Sequence, residues 1–211
     1  MDSYTPLFIF YSSDFIVEKR LELEKIRQKI LDELECPLKK SATNIVFGKG
    51  NVNASVLIIG EAPGKNEDLQ GIPFVGMAGK NLDEYLKLAD LTLEKVYIAN
   101  ILKYRPPENR NPSDSEIESH TPYLLEQIRI ISPTVLLPLG NFATKFVLGG
   151  FTVAGMKNVG GISKLHGQKF EVEFEGRKII VYPMYHPAAA IYKRKLIEEL
   201  KADFTKLKVL L

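Results

Sequence analysis

Cysteine is almost missing from this chain, and its scarcity excludes several chemistries at once. The single Cys36 can form no intramolecular disulfide, and a four-cysteine zinc or iron–sulfur site is impossible within one chain. Long apolar runs are missing too. No window approaches the ~20 apolar residues that a membrane-spanning helix needs. The stretch Leu7–Tyr11 is too short for a secretion signal and lacks its basic flank. We therefore expect a soluble intracellular protein, cytoplasmic and without a membrane partner. A dominant sign of charge is also absent: 28 lysines and arginines against 26 aspartates and glutamates leave a net charge of +2. So weak a field gathers no polyanion globally, and any phosphate-binding surface has to be a local patch. Internal repeats and low-complexity linkers are lacking. With 45% hydrophobic and 26% charged residues over 211 positions, we expect one domain over residues 1–211 with a single sizeable core.

What is present alternates. From Phe15 to Glu35, apolar residues at helical spacing (Leu23, Ile26, Ile30, Leu34) stand among lysines and glutamates, an amphipathic helix that Pro37 stops. Residues before about Asp14 read as a tail or an early strand. Val56 to Gly60 is a short continuous apolar run, as in a buried parallel strand. Asn81 to Leu88 suits a helix, and Val96 to Asn100 a second strand. Ser113 with Glu116 three residues on is a capping box opening a helix to about Ile131. Val135 to Leu139 reads as a third strand and Phe142 to Leu148 as a short helix. Phe170 to Phe174 and Lys178 to Tyr182 alternate around Glu175-Gly176-Arg177 as a hairpin. A last helix covers about Lys195 to Leu207. Strands alternating with helices predict a three-layer α/β/α fold around a mostly parallel, four-stranded sheet. Ligands of such sheets bind beyond the carboxyl ends of the strands. The polar segments after Ile59, Ile98 and Tyr182 are therefore expected on one rim.

The first of these, Gly60-Glu61-Ala62-Pro63-Gly64-Lys65-Asn66, has the look of a phosphate loop. Its spacing argues otherwise, with three residues between the glycines instead of four and Asn66 where Ser or Thr should stand. Alone it is a strand-to-helix turn. It is followed, however, by Gly71-Ile72-Pro73-Phe74-Val75-Gly76-Met77-Ala78-Gly79, then Ala99-Asn100, Arg105-Pro106-Pro107, Asn109-Arg110, and Tyr185-His186-Pro187-Ala188-Ala189. In this order and spacing the segments resemble the motifs of family-4 uracil-DNA glycosylases, over about Glu33 to Leu207. The resemblance implies a DNA-repair enzyme that flips uracil out of DNA, cuts its N-glycosidic bond and leaves an abasic site.

The chemistry of that task can be set against the residues. A flipped base needs an aromatic face, groups that read its Watson–Crick edge, and a donor for charge developing on the leaving base. Phe74 is the stacking candidate, although a phenylalanine is as readily an ordinary core residue. Asn100, otherwise a turn former, can accept from uracil N3–H and donate to O4. Cytosine reverses both, and such sites discriminate by about 10⁴–10⁵. The resemblance makes His186 the donor to uracil O2, a role whose removal typically costs about 3–4 kcal/mol. Gly60, Glu61 and Ala62 complete the implied uracil pocket. For water activation there are two candidates, Glu61 and Asn109, since the aspartate used by family-1 relatives after the first strand is absent. Glu67 is implied as the barrier to thymine, or is a plain exposed charge. Arg105, Arg110, Pro187, Ala188, Lys193 and Arg194 are the expected DNA contacts, although a basic run is usually a solvated face. His166 has no such context and reads as surface or hairpin packing. No lysine nucleophile is evident, so no lyase activity is expected.

One departure stands out. The family binds a [4Fe–4S] cluster through four cysteines, and the matching positions here hold Glu33, Cys36, Tyr104 and His120. One thiolate cannot hold a cluster. We expect no cofactor and no metal, with Tyr104 and His120 filling the volume and hydrogen bonds in place of metal bonds. Zinc through Glu33, Cys36, His120 and a water is the chemical alternative. The expected partner is uracil-containing DNA, single- or double-stranded, bound by a monomer. Two other functions stay open: a weakly catalytic protein that recognises damage, and a glycosylase shifted toward hypoxanthine or xanthine.

Overall fold

The computed structural model describes residues 8–211, with side chains from Asp14 onward except Tyr192. Its elements run α1 (Phe8–Glu33), α2 (Pro37–Ser41), β1 (Lys49–Gly50), β2 (Val56–Gly60), α3 (Lys65–Gln70), α4 (Met77–Leu88) and β3 (Val96–Asn100). A 3₁₀ turn at Pro107–Asn109 precedes α5 (Asp114–Ile131), β4 (Val135–Pro138), α6 (Gly140–Leu148), α7 (Val153–Met156) and α8 (Ile162–Leu165). The chain finishes with β5 (Phe170–Phe174), β6 (Arg177–Val181), α9 (Pro187–Tyr192) and α10 (Arg194–Leu207).

The sheet has six strands in the order β1-β3-β2-β4-β6-β5. Four of them, β3, β2, β4 and β6, are mutually parallel and form its centre. Antiparallel β1 and β5 widen it at the edges. β1 is only two residues long, too short to leave a periodic signal. The β5–β6 hairpin turns on Glu175 and Gly176, both at positive φ (51° and 75°), the combination a two-residue turn requires.

Period-two alternation splits each central strand between two cores. Leu57, Ile59, Tyr97, Ala99 and Leu136 face one layer with Ile117, Leu124 and Ile128 of α5 and Phe146 of α6. Val56, Ile58, Val96, Ile98 and Leu137 face the other with Tyr85 and Leu86 of α4 and Leu200 and Phe204 of α10. Both faces being covered, β2, β3 and β4 are buried throughout, which is why they read as continuous apolar runs. This is the three-layer α/β/α arrangement.

Local rules set the ends of the elements. The capping box of α5 is complete: Glu116 N–H donates to Ser113 Oγ (3.3 Å) and Ser113 N–H to Glu116 Oε2 (2.8 Å). Helix α1 begins at Phe8, earlier than the periodicity of its apolar face indicated; whatever precedes Phe8 lies outside the described residues. Pro37 does more than stop it. It opens α2 at the first turn, where its missing N–H costs nothing. Lys39 of α2 then donates to the carbonyls of Ile30, Leu31 and Leu34 at the end of α1.

Strand order reverses at β2, since the chain moves from β2 outward to β3 and then back across to β4. The carboxyl end of β2 is thus a switch point, the place where open α/β sheets hold ligands.

Candidate active site

A cleft of about 370 Å³ opens at that switch point, lined by Glu61, Ala62, Pro63, Gly64, Glu67, Phe74, Ala78, Asn100, Pro106, Asn109, Arg110, His186 and Ala188. Residues from the ends of β2, β3 and β6 meet there, as expected from the three polar segments. Its floor depends on Gly60. A Cβ at Gly60 would stand 2.2 Å from Asn100 Oδ1 and 3.0 Å from the Phe74 ring. Glycine alone lets the strand end pass beneath both.

Asn100 ends β3 beside Gly60 and is 2% exposed. Its carbonyl accepts from Lys103 Nζ at 2.7 Å, and Lys103 also donates to Gln127 Oε1 at 2.6 Å. Lys103 is fully buried, and desolvation lowers its pKa to about 7. Among the described residues the Asn100 amide has no side-chain partner, so its oxygen and nitrogen are available to a ligand.

Phe74 is 7% exposed, and its ring centroid lies 5.6 Å from that of His186 at an interplanar angle of 30°. Its φ is 51°, a left-handed conformation that L residues avoid. The turn is clamped: Glu67 Oε1 accepts from the N–H groups of Val75 (2.9 Å) and Gly76 (2.8 Å). Glu67, expected as a barrier or a loose surface charge, thus also fastens the turn that carries Phe74.

His186 caps the amino end of α9, its Nδ1 accepting from Ala188 N–H at 3.1 Å. Nδ1 being the acceptor, the proton of the neutral ring sits on Nε2. Burial lowers the His186 pKa to about 4, with Glu67 opposing the shift. At neutral pH the ring is therefore a neutral Nε2–H donor. Glu61 is perturbed the other way, burial raising its carboxyl to about 7. A half-ionised carboxylate at neutral pH suits proton transfer.

Asn109 (φ 55°) and Glu108 (φ 53°) are both left-handed, and Arg105 Nε donates to Asn109 Oδ1 at 2.7 Å. Arg110 forks onto Glu116, with bonds of 2.9 and 2.6 Å. That pair and Ser113 bring the Glu116 carboxyl down to about 2. Arg105 and Arg110, two of the expected DNA contacts, thus hold the Asn109 loop to itself and to α5. Pro187 and Ala188 open α9 at the cleft, while Lys193 and Arg194 are exposed at the α9–α10 junction.

His166 corrects the expectation. It is half-buried, its Nδ1 is 2.6 Å from Asp203 Oδ2, and its ring packs against Tyr185 at a tilt of 35° with centroids 4.3 Å apart. Only the fold brings α10 beside that loop, so nothing in the chain order announced the pair. Pro63, Ala78 and Pro106 were missed as lining for a simpler reason: small or apolar side chains carry no chemical signature.

The positions matching the cluster ligands do not fit a cluster. Cys36 is the single thiol and Glu33 is exposed. Tyr104 and His120 are 4% and 0% exposed and meet edge-to-face, with centroids 6.2 Å apart. The two rings are buried against each other, and their hydrogen bonding is met only in part. His120 Nδ1 pairs with the Glu116 carbonyl at 2.8 Å, whereas His120 Nε2 and the Tyr104 hydroxyl have no partner. Desolvation lowers the His120 pKa to about 4. Among the described residues, no group of three or more His, Cys, Asp or Glu is placed to hold a metal ion.

Fold and cleft together define a doubly wound α/β protein with a base-sized pocket at its switch point. The uracil DNA glycosylase superfamily matches residues 47–208, and the chain belongs to that family. It is 44% identical to a type-4 uracil-DNA glycosylase of Archaeoglobus fulgidus over 185 residues, covering 88% of this chain and 91% of that protein. A type-4 uracil-DNA glycosylase of Sulfurisphaera tokodaii is 41% identical (89% and 84% covered), and one of Thermotoga maritima 37% identical (82% and 84%).

Proposed function

We propose that this chain is a monofunctional uracil-DNA glycosylase, hydrolysing the N-glycosidic bond of uracil in DNA and leaving an abasic site. The observation that carries the reading is the convergence of Phe74, Asn100 and a neutral His186 on one cleft. A base rotated out of the stack enters between them. Phe74 supplies the face, and the Asn100 amide accepts from N3–H and donates to O4, a pattern cytosine mismatches. As the bond to the sugar lengthens, negative charge collects on O2, where His186 Nε2–H donates. Glu61, with its pKa near 7, takes a proton from water attacking the sugar, and Asn109, which lines the same cleft, orients that water. Glu67 stands at the side of the cleft, where it limits the space beside C5 and so resists thymine.

The substrate is uracil in single- or double-stranded DNA, bound by a monomer in the cytoplasm, with Pro187, Ala188, Lys193 and Arg194 next to the flipped site. No iron–sulfur cluster takes part, because the matching positions offer one thiol and two packed rings. The test is a labelled oligonucleotide with one uracil, incubated with protein and then treated with alkali, alongside His186→Ala and Asn100→Ala. Cleavage at uracil that both variants weaken, by a protein with no visible charge-transfer band, is the expected result. Binding without cleavage would overturn it.

A further inference from the structure

Lys49 lies in β1, the two-residue edge strand paired with β3, and no feature of its sequence marks it. In the fold its half-buried side chain passes behind the cleft, and Nζ donates to the Phe74 carbonyl at 3.0 Å. The carboxylates of Asp83 and Glu67 offset part of the cost of burying this charge. Gly79 packs against the same carbonyl, where a Cβ would come within 2.0 Å of the Phe74 oxygen. The peptide after Phe74 is therefore held by an ammonium on its oxygen, while Glu67 binds the next two N–H groups at 2.9 and 2.8 Å. A left-handed phenylalanine persists only where its surroundings over-determine it, and these contacts do so.

We propose that Lys49 is a positioning residue for base recognition: by binding the Phe74 carbonyl it fixes the turn and so the plane in which the ring receives the flipped base. This rests on Phe74 being the uracil platform. It assigns Lys49 no contact with substrate, and it makes an edge strand that reads as fold decoration a support of the turn that carries Phe74. Lys39 is the natural control. It too is a lysine donating to backbone carbonyls, but to those of Ile30, Leu31 and Leu34 at the end of α1 and not to a residue that lines the cleft.

The experiment compares full-length wild type, Lys49→Met, Lys49→Arg and Lys39→Met. We measure kcat/KM on a uracil oligonucleotide, inhibition by free uracil, Tm, and hydrogen exchange over residues 72–79. Lys49→Met is expected to lower kcat/KM and weaken uracil inhibition by roughly 10- to 100-fold, the range for loss of a charged hydrogen bond. Exchange at Val75 and Gly76 should speed up, and Lys49→Arg should recover part of each effect. Lys39→Met should lower Tm and leave uracil inhibition alone. Should Lys49→Met not fold, Lys49→Gln takes its place in every assay. Kinetics and exchange unchanged in a folded variant, or the same kinetic loss from Lys39→Met, overturn the proposal. If wild type itself leaves uracil in DNA, the glycosylase reading falls, and exchange at residues 72–79 still decides whether Lys49 holds the turn.

Discussion

Two polar neighbourhoods of this protein lie on either side of the loop after β3, and they have opposite logic. In the cleft, Asn100 and His186 keep functional atoms open while their other atoms are tied: the Asn100 carbonyl to Lys103, and His186 Nδ1 to Ala188 N–H. Behind the loop, Tyr104 and His120 are sealed in, and two of their polar atoms have no partner. Preorganised groups that await a ligand and groups merely left in place can look alike in a sequence. The difference is whether each is held from behind. Cleft variants should therefore change rate with little change in stability, and variants of the sealed pair should do the reverse.

The comparison can be tested hardest at His186. His186→Ala should lower kcat by about 10²–10³, the effect of removing a donor to developing charge, while Tm stays near wild type; equal loss of Tm would erase the distinction. Gly60→Ala comes next, because the added carbon would stand 2.2 Å from Asn100 Oδ1. Displacing the reading amide should cost about 10²-fold in kcat/KM, and steady-state kinetics on uracil against cytosine substrates would show whether selectivity falls with it. Glu61 sharpens the same side. With its pKa raised to about 7, the rate should climb as pH rises through 7 and then level, and Glu61→Gln should flatten that limb.

The sealed pair gives the smallest effects, all in stability. His120 titrates near 4 when folded against ~6.5 when unfolded. The unfolded chain thus binds the proton first, and the stabilisation is complete above pH 6.5 and lost as pH falls toward 4. The difference between pH 7 and pH 4 is about 3 kcal/mol, measurable by urea unfolding at the two pH values, and His120→Phe should abolish that pH dependence without altering kcat. Tyr104→Phe, which deletes a hydroxyl lacking a partner, should raise stability by about 1 kcal/mol.

Much of this was legible beforehand, for identifiable reasons. Buried parallel strands leave unbroken apolar runs, so β2, β3 and β4 were found almost to the residue, and a capping box announced α5. The cleft residues were legible because each sits at a strand end or in a short motif. Edge strand β1 has two residues, and α3, α7, α8 and α9, at four to six residues each, are shorter than two helical turns, so none leaves a period. Lys49, Lys103 and the His166–Asp203 pair were invisible because their partners are distant in the chain. Two of these support the cleft from outside it: Lys49 reaches Phe74 across 25 residues, and Lys103 reaches Gln127 across 24.

The fork of Arg110 on Glu116 also bears on how the protein meets a polyanion. A basic side chain that neutralises a DNA phosphate releases condensed counterions, and each such contact steepens the fall of affinity with salt. An arginine whose charge is already matched by a carboxylate titrating near 2 has little to offer that exchange at any physiological pH. While that pair is intact, Arg110 is expected to steepen the ionic-strength dependence of DNA binding less than an unpaired basic side chain would, which the salt dependence of Arg110→Gln against wild type checks.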